Sequence, residues 1–415
     1  MDRDKGRMFA TVGEELDYLA KGTVDLIQPK ELETKLDRSR KSGVPLRVKV
    51  GFDPTAPDIH LGHTVVMRKM RAFQDCGHEV FFVIGDFTGR IGDPSGRSKT
   101  RPPLTMEEVE ANARTYTRQA FKILAPDRTR VVFNGEWLDA LRSAEWIRLA
   151  AHYNVARMLE RRDFRQRFDS GQAISLHEFL YPLAQAYDSI HLRIDVEMGG
   201  TDQLFNLNVG RDVMPAYGLE PQVVLTMPLL EGLDGVEKMS KSLGNHVGID
   251  EPPLEMFGKL MSVSDELMWR YWTLLTELAP GEIEALKSEI ASGRRHPKAV
   301  KTDLARRIVG SFHTPQAADE ASREWERIFS QRETPSDAPE IRRPCSAEPI
   351  WIPRLLVEAG LARSTSEVLR ALRQGGLELD GTRVEETSAS LDASRPATRL
   401  IRLGKRRFLR VVVEG

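Results

Sequence analysis

Apolar positions follow one rhythm up to about residue 250 and another beyond it. Short apolar runs at 46–52, 79–85, 130–133 and 222–230 are separated by amphipathic stretches long enough for helices. That alternation predicts buried parallel strands joined by helices, an α/β domain. Two helix starts carry a capping box: Thr105 with Glu108 and Ser175 with Glu178. In such a box each side chain can satisfy the other residue's backbone N–H. From 252 to about 329 the strand-like runs vanish, and apolar positions at 254–261, 267–277 and 300–312 predict one helix after another. Residues 331–349 combine prolines with scattered charge and read as a linker. Residues 350–415 are left as a small separate unit.

Composition narrows the class. A chain of 415 residues is long enough for two to four domains, each burying its own core. Sixty Lys and Arg nearly cancel 61 Asp and Glu, for a net charge of −1, so any nucleic-acid partner must be met by local patches. One such patch is the terminal unit, where twelve Lys/Arg face eight Asp/Glu between 350 and 415. The two cysteines, Cys76 and Cys345, lack the spacing of a disulfide framework or a zinc knuckle, which fits a reducing cytoplasm. No apolar run approaches the ~20 residues of a membrane span, and the charged start lacks the apolar core of a signal peptide.

Four clusters carry chemistry. Gly51-Phe52-Asp53-Pro54-Thr55 leads to His60-Leu61-Gly62-His63. A strand, a turn through Pro54 and Pro57 and a helix beginning near Asp58 would put both imidazoles in a helix's first turn, where backbone N–H groups and the dipole favour anions. Gly62 between them removes a side chain that would obstruct a nucleotide base. A metal pair is the competing reading, but no third ligand is convincingly spaced and no Glu lies between the histidines. Lys238-Met239-Ser240-Lys241-Ser242 places two ammonium groups and two hydroxyls on one short loop, suited to polyphosphate or to plain solvation. The run from Gly92 to Arg101 lacks Walker spacing, and is a glycine-hinged loop bearing Arg97, Lys99 and Arg101. In the helix after Ser175, Tyr181, Gln185 and Asp188 share one face, beside an apolar stripe of Phe179, Leu183, Ala186 and Ile190. That polar face is either a pocket for a ligand bearing an amine and a hydroxyl or a solvated surface.

Taken together, Gly51–Thr55 before His60-Leu61-Gly62-His63 and Lys238–Ser242 resemble the two signature motifs of class I aminoacyl-tRNA synthetases. The runs Tyr181–Asp188, Gly199-Gly200-Thr201-Asp202-Gln203 and Gly92–Gly96 resemble those of the bacterial-type tyrosyl-tRNA synthetases. The likeness extends to the terminal unit, which is similar to a small RNA-binding domain shared with a ribosomal protein. It implies a Rossmann-like catalytic domain over 1–248 with a dimer-forming helical insertion at about 105–199, then an α-helical anticodon-binding domain over 249–330. A linker over 331–349 and an α+β RNA-binding domain over 350–415 would follow. It implies that His60, His63 and Thr55 contact ATP phosphates, that Lys238 and Lys241 neutralise the triphosphate, and that Arg97 and Arg101 are mobile basic residues. Asp93, Tyr181 and Gln185 would hold the amino group of tyrosine, Asp188 its phenolic hydroxyl, and Gln203 would line the same pocket. Gly51, Asp53, Gly62, Asp202 and Ser240 would surround the nucleotide. Many relatives have a tyrosine two residues before Gly51 to share that hydroxyl; here the position is Lys49, which leaves the second contact open.

The implied reaction is ATP-dependent activation of L-tyrosine, with Mg2+ accompanying ATP and no protein-ligated metal, followed by transfer to tRNA(Tyr) in a cytoplasmic homodimer. Alternatives are a tryptophanyl enzyme, a nucleotidylyltransferase, and an RNA-binding paralogue without catalysis. The first usually lacks the terminal unit, the second would be much shorter, and intact His60, His63, Lys238 and Lys241 argue against the third.

Overall fold

The computed structural model describes residues 9–54, 58–93, 105–329, 339–384, 386–404 and 407–415. Thr55, Arg97 and Arg101 therefore lie outside the described residues. The chain divides into two compact units, Met1–Ala318 and Asp319–Gly415.

The first unit is built on a six-stranded sheet: β1 (Asp25–Ile27), β2 (Arg47–Phe52), β3 (Glu79–Ile84), β4 (Thr129–Phe133), β5 (Val196–Gly200) and β6 (Val223–Met227), in the order β1-β6-β5-β2-β3-β4. Every pairing is parallel except that of β1 with β6. β2, β3, β4 and β6 fall where apolar runs predict them, because parallel strands covered on both faces need no polar alternation. β5 was not among the predicted strands, since Glu197 interrupts its apolar run, although Val196–Gly199 are all buried. Chain order runs from β2 outward to β3 and β4, then returns to β5 and β6 on the other side. The reversal between β2 and β5 creates a crevice at the carboxyl ends of the strands, where ligands of open α/β sheets bind.

The helix Leu61–Asp75 follows β2 and buries Leu61, Val65, Met67, Met70 and Phe73. It begins three residues later than expected, at Leu61, with His60 as its N-cap. The helix Leu176–Leu192 packs Leu183, Ala186 and Ile190 with Leu149, Val209 and Val213, so its predicted apolar stripe is indeed core. Of the two predicted capping boxes, that of Thr105 and Glu108 is closed by reciprocal bonds of 2.9 and 3.2 Å. At the other, Glu178 accepts from the Ser175 N–H at 2.9 Å and also pairs with Arg167. Beyond residue 250 the helices Pro253–Met261, Asp265–Leu275, Pro280–Ala291 and Pro297–Phe312 follow in succession, and Pro315–Phe329 spans the division between the units.

The second unit carries a five-stranded sheet ordered β10-β9-β12-β13-β7, with β7 at Glu340–Pro344, β9 at Leu377–Leu379, β10 at Thr382–Arg383, β12 at Ala397–Leu403 and β13 at Arg407–Glu414. A two-stranded ribbon joins β8 (Ile350–Trp351) to β11 (Ser390–Leu391). Two helices, Ile352–Glu358 and Thr365–Arg373, cover one apolar core containing Leu355, Leu356, Val368, Ile401, Leu409 and Val411. The stretch read as a linker is corrected here: β7 pairs in parallel with β13 over five residues. Its burial alternates as expected of an edge strand, a place where a proline and charged side chains are tolerated. Among the described residues no helix is long and apolar enough to cross a membrane.

Candidate active site

A cavity of about 540 Å³ opens at the carboxyl ends of β2 and β5 and is lined by residues from every predicted cluster that the structure describes. His60 caps the helix after β2, with its ring stacked on that of His63 at 3.8 Å between centroids. The His60 backbone N–H donates to His63 Nδ1 at 3.3 Å, which leaves the His63 proton on Nε2. Burial, with Lys241 and Lys238 nearby, lowers the His63 imidazole to about 4. Burial and the neighbouring His63 push His60 still further down. Both rings are thus neutral near pH 7, each with a single N–H to donate. Gly62 is dictated by close approach: a Cβ there would come within 3.0 Å of the His60 ring and 3.5 Å of the Met239 Cβ.

Backbone bonds tie the segment after the lysine loop to the start of this helix and anchor the loop itself to the chain leaving β6. Leu61 N–H donates to Val247 O at 2.9 Å, Ile249 N–H to Ile59 O at 3.1 Å and Met239 N–H to Leu230 O at 2.8 Å. Asn245 shapes the loop, accepting from Ser240 N–H at 2.8 Å and donating to Asp234 at 2.6 Å. The two ammonium groups pair with carboxylates, Lys238 with Asp202 at 3.0 Å and Lys241 with Asp58 at 3.2 Å. The site therefore offers neutral donors from one side and two cations from the other.

At the inner end, Asp188 is 3% exposed and accepts from Trp137 Nε1 at 2.8 Å and Asn134 Nδ2 at 3.3 Å. Burial raises its carboxyl to about 7 against the opposing pull of Lys49, Trp137 and Asn134. Tyr181 donates to Asp53 at 2.8 Å, and Thr88 donates to the other oxygen of that carboxylate at 2.7 Å. Gln203 Nε2 donates to Asp93 at 2.8 Å, and Gln185 Nε2 to Glu197 at 3.0 Å. Lys49 does not line the cavity; its ammonium pairs with Glu197 at 2.9 Å and donates to Gln185 O at 3.0 Å.

The structure thus brings His60, His63, Lys238, Lys241, Ser240, Gly51, Asp53, Gly62, Asp93, Tyr181, Gln185, Asp188, Asp202 and Gln203 to one cavity. Sequence reasoning missed Asp58, Thr88, Asn134, Trp137 and Glu197. The one available signal was position, since Thr88 and Asn134 follow the ends of β3 and β4, where a parallel sheet presents ligand contacts. Among the described residues no group of three or more His, Cys, Asp or Glu is placed to hold a metal ion.

Comparison with known proteins gives the family. Residues 41–330 match the family described as tRNA synthetases class I (W and Y). A tyrosine–tRNA ligase of Oleidesulfovibrio alaskensis is 54% identical over 400 residues, covering 96% of this chain and 99% of the relative. One from Bordetella pertussis is 53% identical over 415 residues and the full length of both. Among solved structures, a C-terminally truncated mitochondrial tyrosyl-tRNA synthetase of Aspergillus nidulans superposes with a TM-score of 0.62 at 23% identity, covering 77% of this chain and 95% of its own. The Archaeoglobus fulgidus tyrosyl-tRNA synthetase complexed with L-tyrosine gives 0.60 at 22% identity, covering 75% and 99%. With relatives matched at more than half of all positions from end to end, the chain belongs to the bacterial-type tyrosyl-tRNA synthetases of class I.

Proposed function

We propose that the cavity activates L-tyrosine with ATP and passes the tyrosyl group to the terminal adenosine of tRNA(Tyr), as a tyrosine–tRNA ligase. The observation that carries this reading is the arrangement of one cavity: a buried carboxylate at its inner end, amine acceptors midway, and neutral imidazoles facing two lysines at its mouth. The phenolic hydroxyl donates to Asp188, while Asp93, Tyr181, Gln185 and Gln203 surround the ammonium. The tyrosine carboxylate attacks the α-phosphorus of ATP, a P–O bond forms as the bond to the β,γ-pyrophosphate breaks, and no protein nucleophile takes part. Catalysis is then positioning plus stabilisation of phosphoryl charge. His60 and His63 donate to phosphoryl oxygens, and Lys238 and Lys241 exchange their carboxylate partners for the departing pyrophosphate, with Arg97, Arg101 and Thr55 assisting. Gly51, Asp53, Gly62, Asp202 and Ser240 shape the nucleotide's surroundings. Magnesium enters with ATP as its counter-ion. The adenylate is then attacked by a ribose hydroxyl of the tRNA terminus, releasing AMP.

Residues 249–330 are assigned to the anticodon end and 350–415 to RNA, supported by the basic excess there. A homodimer is supported by Ile147, Val155, Phe168 and Leu176, which are 58–82% exposed on the segment between β4 and β5. The setting is the cytoplasm, where tRNA is charged. The decisive experiment is amino-acid-dependent exchange of pyrophosphate into ATP across all twenty amino acids. Exchange with tyrosine alone is expected; exchange with tryptophan, or with none, would overturn the reading.

A further inference from the structure

Lys49 and Glu197 stand opposite each other on β2 and β5, at the strand reversal below the cavity. They are 0% and 1% exposed. Isolating two charges from water costs several kcal/mol per ion in general, so such a pair persists where every donor and acceptor is matched. Here the match is extensive. One Glu197 oxygen receives Lys49 Nζ at 2.9 Å and Gln185 Nε2 at 3.0 Å; the other receives Ser189 Oγ at 3.1 Å and Gln222 Nε2. Space for this cluster comes from Gly210, where a Cβ would lie 2.6 Å from Gln222 Nε2 and 3.3 Å from Glu197 Oε2.

Four donors converge on one carboxylate, and protonating it would set a donor against a donor. The group facing Gln185 is therefore an acceptor only. A glutamine amide is otherwise free to turn either end toward a ligand, yet here its NH2 is bound to Glu197, and its backbone carbonyl is held by Lys49. The amide oxygen is the end left for the cavity that Gln185 lines. We propose that the buried Lys49–Glu197 pair is a positioning device that fixes the Gln185 carboxamide oxygen toward the cavity, so that the site selects a substrate bearing an ammonium. Lys49 thus serves the amino end of the substrate, not its hydroxyl. This inference rests on the reading that Gln185 receives the tyrosine ammonium.

The test is equilibrium binding of L-tyrosine, tyramine and 3-(4-hydroxyphenyl)propionate, the last lacking the amine, to the full chain. The native protein is expected to bind tyrosine more tightly than the propionate, and Gln185→Ala to cut that preference about tenfold, Asp93, Tyr181 and Gln203 retaining the rest. If either fails, the assignment of Gln185 is wrong. Replacing both charges, Lys49→Met with Glu197→Met, avoids stranding one ion and keeps volume nearly constant. It is expected to weaken tyrosine and tyramine about tenfold and the propionate less than twofold, with no further loss in a Gln185→Ala background. The milder Glu197→Asp keeps the negative charge but draws the oxygen shared by Lys49 and Gln185 back from both, and should show about a threefold loss in the same sense. Equal weakening of all three ligands, or a preference for the amine that both variants leave at its native size while Gln185→Ala reduces it, would overturn the proposal.

Discussion

Asp188, proposed to receive the phenolic hydroxyl, is a residue whose ionised form works against the fold. Its carboxyl, raised by burial to about 7, binds a proton more readily in the folded protein than in the unfolded chain. Its contribution to stability is therefore fully present below about pH 4 and is lost as pH rises through about 7. Replacing it with asparagine removes that opposition, and at about pH 8 Asp188→Asn should raise the unfolding free energy by roughly 1–3 kcal/mol in denaturant titrations. The same change should reduce discrimination against phenylalanine by about two orders of magnitude or more. Because the phenol donates to the ionised form, the KM for tyrosine in pyrophosphate exchange should climb as pH falls below about 7, with the KM for ATP unaffected. A tyrosine KM that stays flat between about pH 6 and 8 would contradict this role. The histidines add no limb in that range, since burial holds His63 near 4 and His60 lower still. At this scale sequence spacing named Asp188 and its helix face, but not Trp137 and Asn134, 51 and 54 residues away, because contacts across that separation leave no local pattern.

Elements carry the next layer. The helix N-terminus at His60 and the lysine loop touch through Gly62 and Met239, so a methyl group at 62 is pressed against the His60 ring. Gly62→Ala should therefore lower kcat about ten- to hundredfold in exchange while leaving the thermal midpoint within about 2 °C and tyrosine affinity unchanged. The loop's own contribution separates differently. Lys241→Ala is expected to lose several kcal/mol of transition-state stabilisation, about 3–4 kcal/mol, with tyrosine binding nearly constant in single-turnover kinetics. A parallel loss of tyrosine affinity would show that the lysine shapes the pocket instead. The strands show what patterning could and could not reveal. β2, β3, β4 and β6 are mostly apolar and were legible, β2 in spite of Lys49; β5, short and split by Glu197 before two glycines, was not, and the burial of Glu197 depends on Lys49, a partner on another strand. β7 was hidden by its proline and exposed charges, which suit an edge strand as well as a linker.

On the scale of the whole molecule, the unit that begins at Asp319 has its own core, independent of the nucleotide fold. Truncation should respect β7: removing residues 339–415 is expected to leave pyrophosphate exchange within about twofold and to raise the tRNA KM for charging by about tenfold or more. Undiminished charging at low tRNA would argue against an RNA role for this unit. Removing only 350–415 would strand β7 without its partner β13 and confuse solubility with function. The exposed apolar residues between β4 and β5 make a separate prediction. Ile147→Glu should shift the mass measured by light scattering toward the monomer; an unchanged mass would place the dimer contact elsewhere. The change from alternating strands and helices to helices alone near residue 250 was legible because the hydrophobic period changes there, whereas the union of clusters from residues 51 to 242 into one cavity emerges only when the sheet reverses direction between β2 and β5.

On the proposed reading, the pairing of Lys238 with Asp202 and of Lys241 with Asp58 would also govern how ATP arrives. A bare pair of ammonium groups would cast a positive field well beyond the cavity and gather any passing polyanion. Each lysine here carries its neutralising carboxylate, so that field is largely cancelled within a Debye length, about 8 Å at physiological salt. Recruitment becomes an exchange of partners at short range, favouring a molecule whose phosphates reach both lysines while its adenosine is seated. Simple phosphate, abundant in any cell, gains little from such a mouth.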